Sequence, residues 1–435
     1  MSLKARLASQ SSVIFGARIF GAGIIFILQA LMARIWGADI LGSYMLIIAL
    51  SNIIMAFLPL GFQTIGTYFV AEYSTRKDAL MLKSFLWRCY SHILFMSLFL
   101  LILIVFFGDF FKTELSPFYF PIAFLAISIA FLYVSIATLV GLKRPIAGFL
   151  SDALFRPILV MVSFVVAIIF FKGETAFLNM IWLMVISITG LAAFQFFLVL
   201  NTIKKIPNEV EKRAPEVKKW WRFAAPWVLI ALATDYFFDI DLVILASYFS
   251  PSELAIFGVC AKMFALVSFG VAAVYAVSVP DMFESEANND RAGFLRKVGE
   301  ANLVASALAL ILLLGAAIGG RFALSLFGDE FTKGAVPLVI LCVALLVRSI
   351  FGPASLVLSI YDRPYASLPS VFLGLISLLV FNYLLVPPFA LIGAAIAALL
   401  AISVWSIAQW LTALKLAKVD ISIFAPIKKY FLEKA

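Results

Sequence analysis

Apolar residues run along this chain in long unbroken stretches separated by short polar segments. Twelve can be drawn, at about residues 10–36, 40–63, 83–107, 118–141, 149–171, 176–203, 220–246, 254–280, 295–320, 336–359, 366–387 and 390–415. At 1.5 Å per residue, each is long enough as a helix to cross about 30 Å of hydrocarbon. A membrane strand needs only about ten residues and alternates polar with apolar, which these stretches do not. The pattern predicts an all-α integral membrane protein with twelve transmembrane helices.

A charged segment with two prolines, Lys204 to Lys219, divides the stretches six and six. The predicted organisation is an N-terminal six-helix half (1–203), a linker (204–219), a C-terminal six-helix half (220–415) and an amphipathic tail (416–435). A repeat supports it. Phe107-Gly108-Asp109-x-Phe111 with Pro117 returns as Phe327-Gly328-Asp329-x-Phe331 with Pro337, an offset of 220 residues. Arg144-Pro145 returns as Arg363-Pro364, an offset of 219. Asp, Arg and loop prolines are scarce here, so these matches carry weight. Six spans is an even number, so both halves insert in the same orientation. Two parallel halves around a central cavity are the expected arrangement. In the tail, Ile421, Ile423, Phe424, Ile427, Phe431 and Leu432 alternate with Lys428, Lys429 and Lys434, which predicts an interfacial helix.

Composition agrees. Hydrophobic residues make up 64% and charged residues 13% of the chain, against roughly 45–50% and about 25% in soluble domains. The cationic residues set the orientation. With the N-terminus inside, 24 of the 33 Lys and Arg fall in inner loops and ends, and five in outer loops. Both termini are therefore expected in the cytoplasm. The net charge of +9 is mostly this topology. Its scatter over inner loops argues against nucleic-acid binding, while the linker cluster suits anionic lipid heads. Cys89, Cys260 and Cys342 lie inside predicted spans without framework or metal spacing and are expected to pack. No small-residue cleavage site follows Ser2 to Ser12, so no removed signal peptide is expected. His92, the single histidine, has no second ligand at metal spacing. No nucleotide, metalloprotease or nucleophile-elbow motif is present. Neither an enzyme, a cofactor nor a metal is expected.

The chemistry lies in charges inside the spans. Four are cationic, Arg18, Arg156, Lys262 and Arg348, and four acidic, Asp152, Asp235, Asp239 and Asp241. Each costs about 2.5–3.5 kcal/mol at mid-bilayer, so each should face a partner or a wet cavity. Arg18 and Gln29 are eleven residues apart and share a helix face; with Asn52 on the second span, Gln29 is a neutral cavity candidate. Asp152 and Arg156 are four apart, so they can pair, or Arg156 can serve a substrate. Pro157 beside them predicts a bend. Asp235 and Asp239 share a face of the seventh span, with Asp241 turned away. Lys262 lies at similar depth. A salt bridge and an ion-coupling site, for H⁺ or Na⁺, are both open there. Arg348 has no acid within a turn, and holding an anionic group is its favoured role.

Leu41-Gly42-Ser43-Tyr44, Leu60-Gly61-Phe62, Phe223-Ala224-Ala225-Pro226 and Asp241-Leu242-Val243-Ile244-Leu245 resemble motifs of the bacterial polysaccharide transporters. Asn382-Tyr383-Leu384-Leu385-Val386-Pro387, followed by Ile392-Gly393-Ala394-Ala395-Ile396-Ala397, is similar to that family's eleventh-to-twelfth helix signature. These are the O-antigen and exopolysaccharide flippases of the multidrug/oligosaccharidyl-lipid/polysaccharide exporter (MOP) superfamily. The resemblance implies flipping of an undecaprenyl-diphosphate-linked oligosaccharide to the outer leaflet of a bacterial inner membrane. It implies Arg18 and Arg348 as cations for the diphosphate, with Arg156 and Lys262 as further candidates. Membrane lipids, a polysaccharide polymerase and a chain-length regulator are the implied partners. An ion-coupled multidrug antiporter is the alternative, although it would favour more acids in the first half. A membrane glycosyltransferase would need a larger outer loop than this chain provides. Lipid II flippases commonly carry two extra helices.

Overall fold

The computed structural model describes residues 3–424 apart from 109, 111, 112, 174, 211–213, 289 and 362. Side chains are described from Ser12 onward, except at 276, 280, 283, 287, 359 and 364. Among the described residues, the named elements of the chain are all helices. Its first elements are α1 (Leu3–Trp36), α2 (Ala38–Phe57), α3 (Phe62–Thr75), α4 (Ala79–Phe107), α5 (Tyr119–Gly141), α6 (Pro145–Leu150), α7 (Arg156–Phe170) and α8 (Thr175–Ile203). After the linker come α9 (Val217–Thr234), α10 (Phe237–Leu245), α11 (Pro251–Ala287), α12 (Arg291–Ser325), α13 (Ala335–Phe351), α14 (Ala354–Ile360) and α15 (Leu368–Leu416).

Among the described residues, ten helical segments are long and apolar enough to cross a membrane. The tenth, Tyr365–Leu416, contains two predicted spans folded back at Ala390 (φ 46, ψ −128), just after Pro387 and Pro388. Three predicted spans are not continuous α-helices. The span at 220–246 breaks at Asp235 and Tyr236, between α9 and α10. The span at 336–359 breaks at Gly352 (φ 78), between α13 and α14. In the span at 149–171, a π-helical turn, Ser151–Phe155, joins α6 to α7 ahead of Pro157. α3 continues to Thr75, and only three residues separate it from α4.

Two compact units result, Met1–Leu31 with Ile47–Leu232, and Met32–Leu46 with Ala233–Ala435. In the first, α5 is the centre, packed by α3, α4, α6 and α8. Small residues on α5, such as Ala123, Ala126, Ala130 and Ala137, are buried and permit the close approach. In the second, α11, α12 and α13 pack in succession, and α15 covers α13 and α10.

The repeat reappears as local chemistry. The third span of each half begins at an aspartate cap. Asp78 Oδ1 accepts from Met81 N at 2.9 Å, and Asp290 Oδ1 accepts from Gly293 N at 2.8 Å. Each satisfies an N–H that the first helical turn leaves without a partner. After each Phe-Gly-Asp comes a 3₁₀ turn, Ser116–Phe118 and Asp329–Gly334, leading directly into the next helix. Asp109 and Phe111 of the first copy lie outside the described residues. Pro145 and Pro364 each open a helical turn, where a missing N–H costs nothing.

The glycine motifs are packing contacts. A Cβ on Gly42 would strike the Pro251 carbonyl, and one on Gly61 (φ 84) would strike the Ala224 carbonyl. Leu60-Gly61-Phe62 therefore seats against Phe223-Ala224-Ala225-Pro226. Phe62 meets Trp221 edge-on at 4.9 Å, and Trp220 Nε1 donates to the Tyr73 hydroxyl at 2.8 Å. Gly61→Val adds both a collision and a left-handed β-branched residue, costing about 3 kcal/mol or more. The expected result is a clearly lower melting temperature of the purified protein, read by fluorescence-detected gel filtration after heating.

The start of the tail is not the predicted interfacial helix. Residues 418–421 carry no helix, and Val419, Ile421 and Ser422 are buried. Asp420 Oδ1 accepts from Trp410 Nε1, Ser422 N and Ser422 Oγ. Ile423 N donates to Ile350 O, and Asn302 Nδ2 donates to Ile421 O at 3.0 Å. The segment supplies hydrogen bonds beside the break at Gly352, and that competes with forming a helix of its own. The tail from residue 425 lies outside the described residues.

Candidate substrate site

Two adjacent chambers lie within the second unit, and each is built on a helix break. The first has a cavity volume of 170 Å³ and takes its wall from the α9–α10 break, including Asp235 and Asp239. Lys262 of α11 lines it as well. The second, of 320 Å³, takes its wall from the α13–α14 break, including Ser349, Gly352 and Pro353. Ser268, Arg348 and Trp405 line both chambers, so Arg348 stands where they meet. Broken helices expose backbone groups at depth, which a bilayer tolerates only where they are buried in protein or line a wet cavity.

Arg348 is in the last turn of α13, nearer a helix end than its predicted mid-span position. Its guanidinium is exposed to the chambers and lies over the Trp405 ring, 5.4 Å from the centroid. Among the described residues neither Arg348 nor Lys262 makes a direct salt bridge, although the Arg348 and Asp235 charges interact across the first chamber. The cation–π contact holds the guanidinium in place and leaves its N–H groups free to donate.

Asp241 and Lys262 do not pair. Asp241 is fully buried and accepts from Asn382 Nδ2 at 2.7 Å. Its second oxygen, Oδ2, has no partner among the described residues. The Asp241-Leu242-Val243 and Asn382-Tyr383-Leu384 motifs thus meet through their polar residues. Asp239 is buried at the wall of the first chamber, whereas Asp235 is exposed within the break.

In the first unit, Arg18 lies over Phe149 at 5.3 Å, and a Cβ on Gly21 would strike the Ala153 carbonyl. Arg156 pairs with Asp152 at 3.1 Å and lies 5.9 Å from the Tyr133 ring centroid. Both arginines are therefore attached to one π-bulged segment. The bulge interrupts the ordinary helix bonding, and buried Gln195 of α8 donates to the Ala147 carbonyl at 2.7 Å and to Ser151. Gln29, read from the sequence as cavity-lining beside Arg18, is buried at 3% exposure, while Arg18 is exposed. Asn52 is half-buried. Neither lines the two chambers.

No family model matches the chain, and no curated protein matches it. Solved structures do. An inward-facing multidrug resistance MATE family transporter of the MOP superfamily aligns with a TM-score of 0.77 at 14% identity, covering 91% of this chain and 95% of that one. The lipid II flippase MurJ, in an inward closed conformation, gives 0.64 at 14% identity, covering 94% and 87%. A point mutant of the Vibrio cholerae MATE transporter VcmN gives 0.62 at 15%, covering 96% and 98%. The chain has the fold of these transporters.

On this transporter fold, sequence reading placed Asp235, Asp239, Lys262 and Arg348 among the functional candidates, and the structure gathers all four around the first chamber. Trp405, Gln409 and Tyr275 were missed, because each sits singly within an apolar run. Asn382 stood in a recognised motif, but its bond to Asp241 spans 141 residues and has no local signal. The Gly352-Pro353 pair was a visible sign of a helix break; Asp235-Tyr236 offers no comparable breaker.

Proposed function

We propose that this chain is a transporter that flips a lipid-linked oligosaccharide, carried on undecaprenyl diphosphate, from the inner to the outer leaflet by alternating access. The observation that carries this reading is Arg348, a guanidinium with no direct salt bridge among the described residues, lining both of two chambers bounded by helix breaks. A cation in an apolar bundle is costly unless it serves an anion or water. The diphosphate and acidic sugars of such a substrate supply the anion. Sharing a fold with MurJ, a lipid II flippase, supports a lipid-linked cargo. Arg18 adds a cationic position in the first unit, where Arg156 is paired with Asp152. In this role the chain is a carrier and not an enzyme, and it works in a bacterial inner membrane with both termini cytoplasmic.

Ion coupling falls to Asp241, with Asp235 and Asp239 as the acids of the first chamber. One carboxylate oxygen of Asp241 is fixed by Asn382 and the other has no partner among the described residues, an arrangement able to take a proton or a small cation. A second reading, an ion-coupled multidrug antiporter, is favoured by the acids of the first chamber and by the MATE fold.

Complementation separates the two. In a strain lacking its O-antigen or exopolysaccharide flippase, the chain should restore surface polymer while the inner-leaflet pool of lipid-linked oligosaccharide falls. Flippase-null strains with different repeat units cover a sugar mismatch. Resistance to cationic drugs with no restored polymer in any of these strains would replace the flippase reading with the antiporter.

A further inference from the structure

We propose that the second chamber is an oxyanion subsite, in which Arg348, Trp405 and Gln409 receive a carboxylate or phosphate group of the transported headgroup. This rests on the flippase reading for its cargo, but not for its chemistry.

The two chambers differ in polarity. The first carries Asp235 and Asp239. The second has no acidic side chain in its wall among the described residues. Its strongest polar group is Arg348, which lies over the face of Trp405 and feels the charge of Asp235 from the first chamber without a direct salt bridge to it. Two neutral donors accompany it. Trp405 Nε1 and Gln409 Nε2 are buried and have no partner among the described residues. Trp405 is 5% exposed and Gln409 is 8% exposed, so bulk water does not serve them.

Three hydroxyls of the wall do not fill this gap. Ser349 Oγ donates to Leu345 O, Ser268 Oγ to Ala265 O, and the Tyr275 hydroxyl to Asn302 Oδ1. Their protons are committed, and their oxygens remain as acceptors facing a cation. Unmet donors next to a guanidinium with no direct salt bridge are the complement of a group that only accepts. An oxyanion is such a group, and its bonds to charged and neutral N–H donors are the stronger, charge-assisted kind. A neutral sugar hydroxyl offers fewer lone pairs and no charge. The chamber's 320 Å³ far exceeds the roughly 10–15 Å³ that one water needs, so it has room for a whole functional group.

The inference assigns direction to the cargo. Its acidic group enters the second chamber, while its hydroxyls lie toward Asp235 and Asp239, which accept hydrogen bonds. Trp405 is then a positioning residue for Arg348 as well as a donor.

The test uses the purified full chain in nanodiscs, titrated with glucuronate, inorganic phosphate and glucose. Glucuronate, phosphate or both should bind, and glucose should not; which of the two anions is tighter tells carboxylate from phosphate. The Trp405→Phe/Gln409→Leu double variant keeps an aromatic face under Arg348 and removes both neutral donors. It should weaken anion binding about tenfold or more with an unchanged gel-filtration profile, as expected when hydrogen bonds to a charged group are lost. Equal binding of glucose and the anions, no anion binding at all, or wild-type affinity in the double variant would overturn the subsite. The Gln409→Leu single variant, whose ring contacts are untouched, repeats the comparison if the double variant fails to fold. Export in the complemented strain is scored separately. Export without anion binding removes the subsite and leaves the flippase; anion binding without export in any flippase-null strain does the reverse.

Discussion

Arg348→Ala is expected to abolish export while the protein still reaches the membrane at normal levels. Arg348 lines both chambers and makes no direct salt bridge among the described residues, so its removal breaks none there and loses only a longer-range attraction to Asp235. Its guanidinium lies over the face of Trp405. The loss should therefore fall on the bound anion. Removing one partner of a desolvated, hydrogen-bonded charge pair costs about 2–5 kcal/mol, or roughly thirty- to several-thousand-fold in affinity. Arg348→Lys keeps the charge but loses the planar fork and should recover only part of the activity. Surface polymer and the inner pool of lipid-linked oligosaccharide, measured in one complemented strain, read the result. Normal export by Arg348→Ala would remove Arg348 from the substrate site.

The second large effect is at Asp241. Asp241→Asn is nearly isosteric and can keep a hydrogen bond to Asn382, so the fold should hold. The carboxylate that could take a proton or cation is gone. Flipping in proteoliposomes should lose its response to an imposed proton or Na⁺ gradient, with the driven rate falling about tenfold or more toward the undriven one (1.4 kcal/mol for each factor of ten). An unchanged gradient response would take Asp241 out of coupling. Asn382→Leu acts on the other side of the same bond and leaves a fully buried carboxylate without its donor. Such losses run to about 3–5 kcal/mol for a buried charge stripped of its partner. That variant is expected to show reduced stability first and reduced transport as a consequence, so comparing the two separates coupling from folding.

How far these residues could be read in advance depended on distance along the chain. Apolar runs, the charged linker and the Phe-Gly-Asp repeat are local patterns, and they led to an all-helical membrane bundle. Arg348 stood out because a cation in a long apolar run is itself a local anomaly. The break at Asp235 and Tyr236 was hidden, because hydropathy does not register whether a helix is continuous. Apart from the Arg156–Asp152 pair, four residues apart, the partners of the charges were hidden too. The spacing left open a bond between Lys262 and the nearby acids, but Asp241 found Asn382 on a helix that follows much later. Trp405 and Gln409 have meaning only once α15 places them beside α13.

The fold at Ala390 has a consequence for how the protein is made. Leu385 and Gly393 stand so close across the bend that a Cβ on Gly393 would strike the Leu385 carbonyl. No hydrophilic loop separates the two arms of α15, only Pro387, Pro388, Phe389 and Ala390. The insertion machinery is thus given one long apolar segment that has to enter the bilayer as a helical hairpin, not as two independent spans. Trp405 and Gln409 arrive on its second leg. The chambers are completed only when that hairpin closes, so lengthening the bend with a polar insert would uncouple membrane insertion from assembly of the cavity.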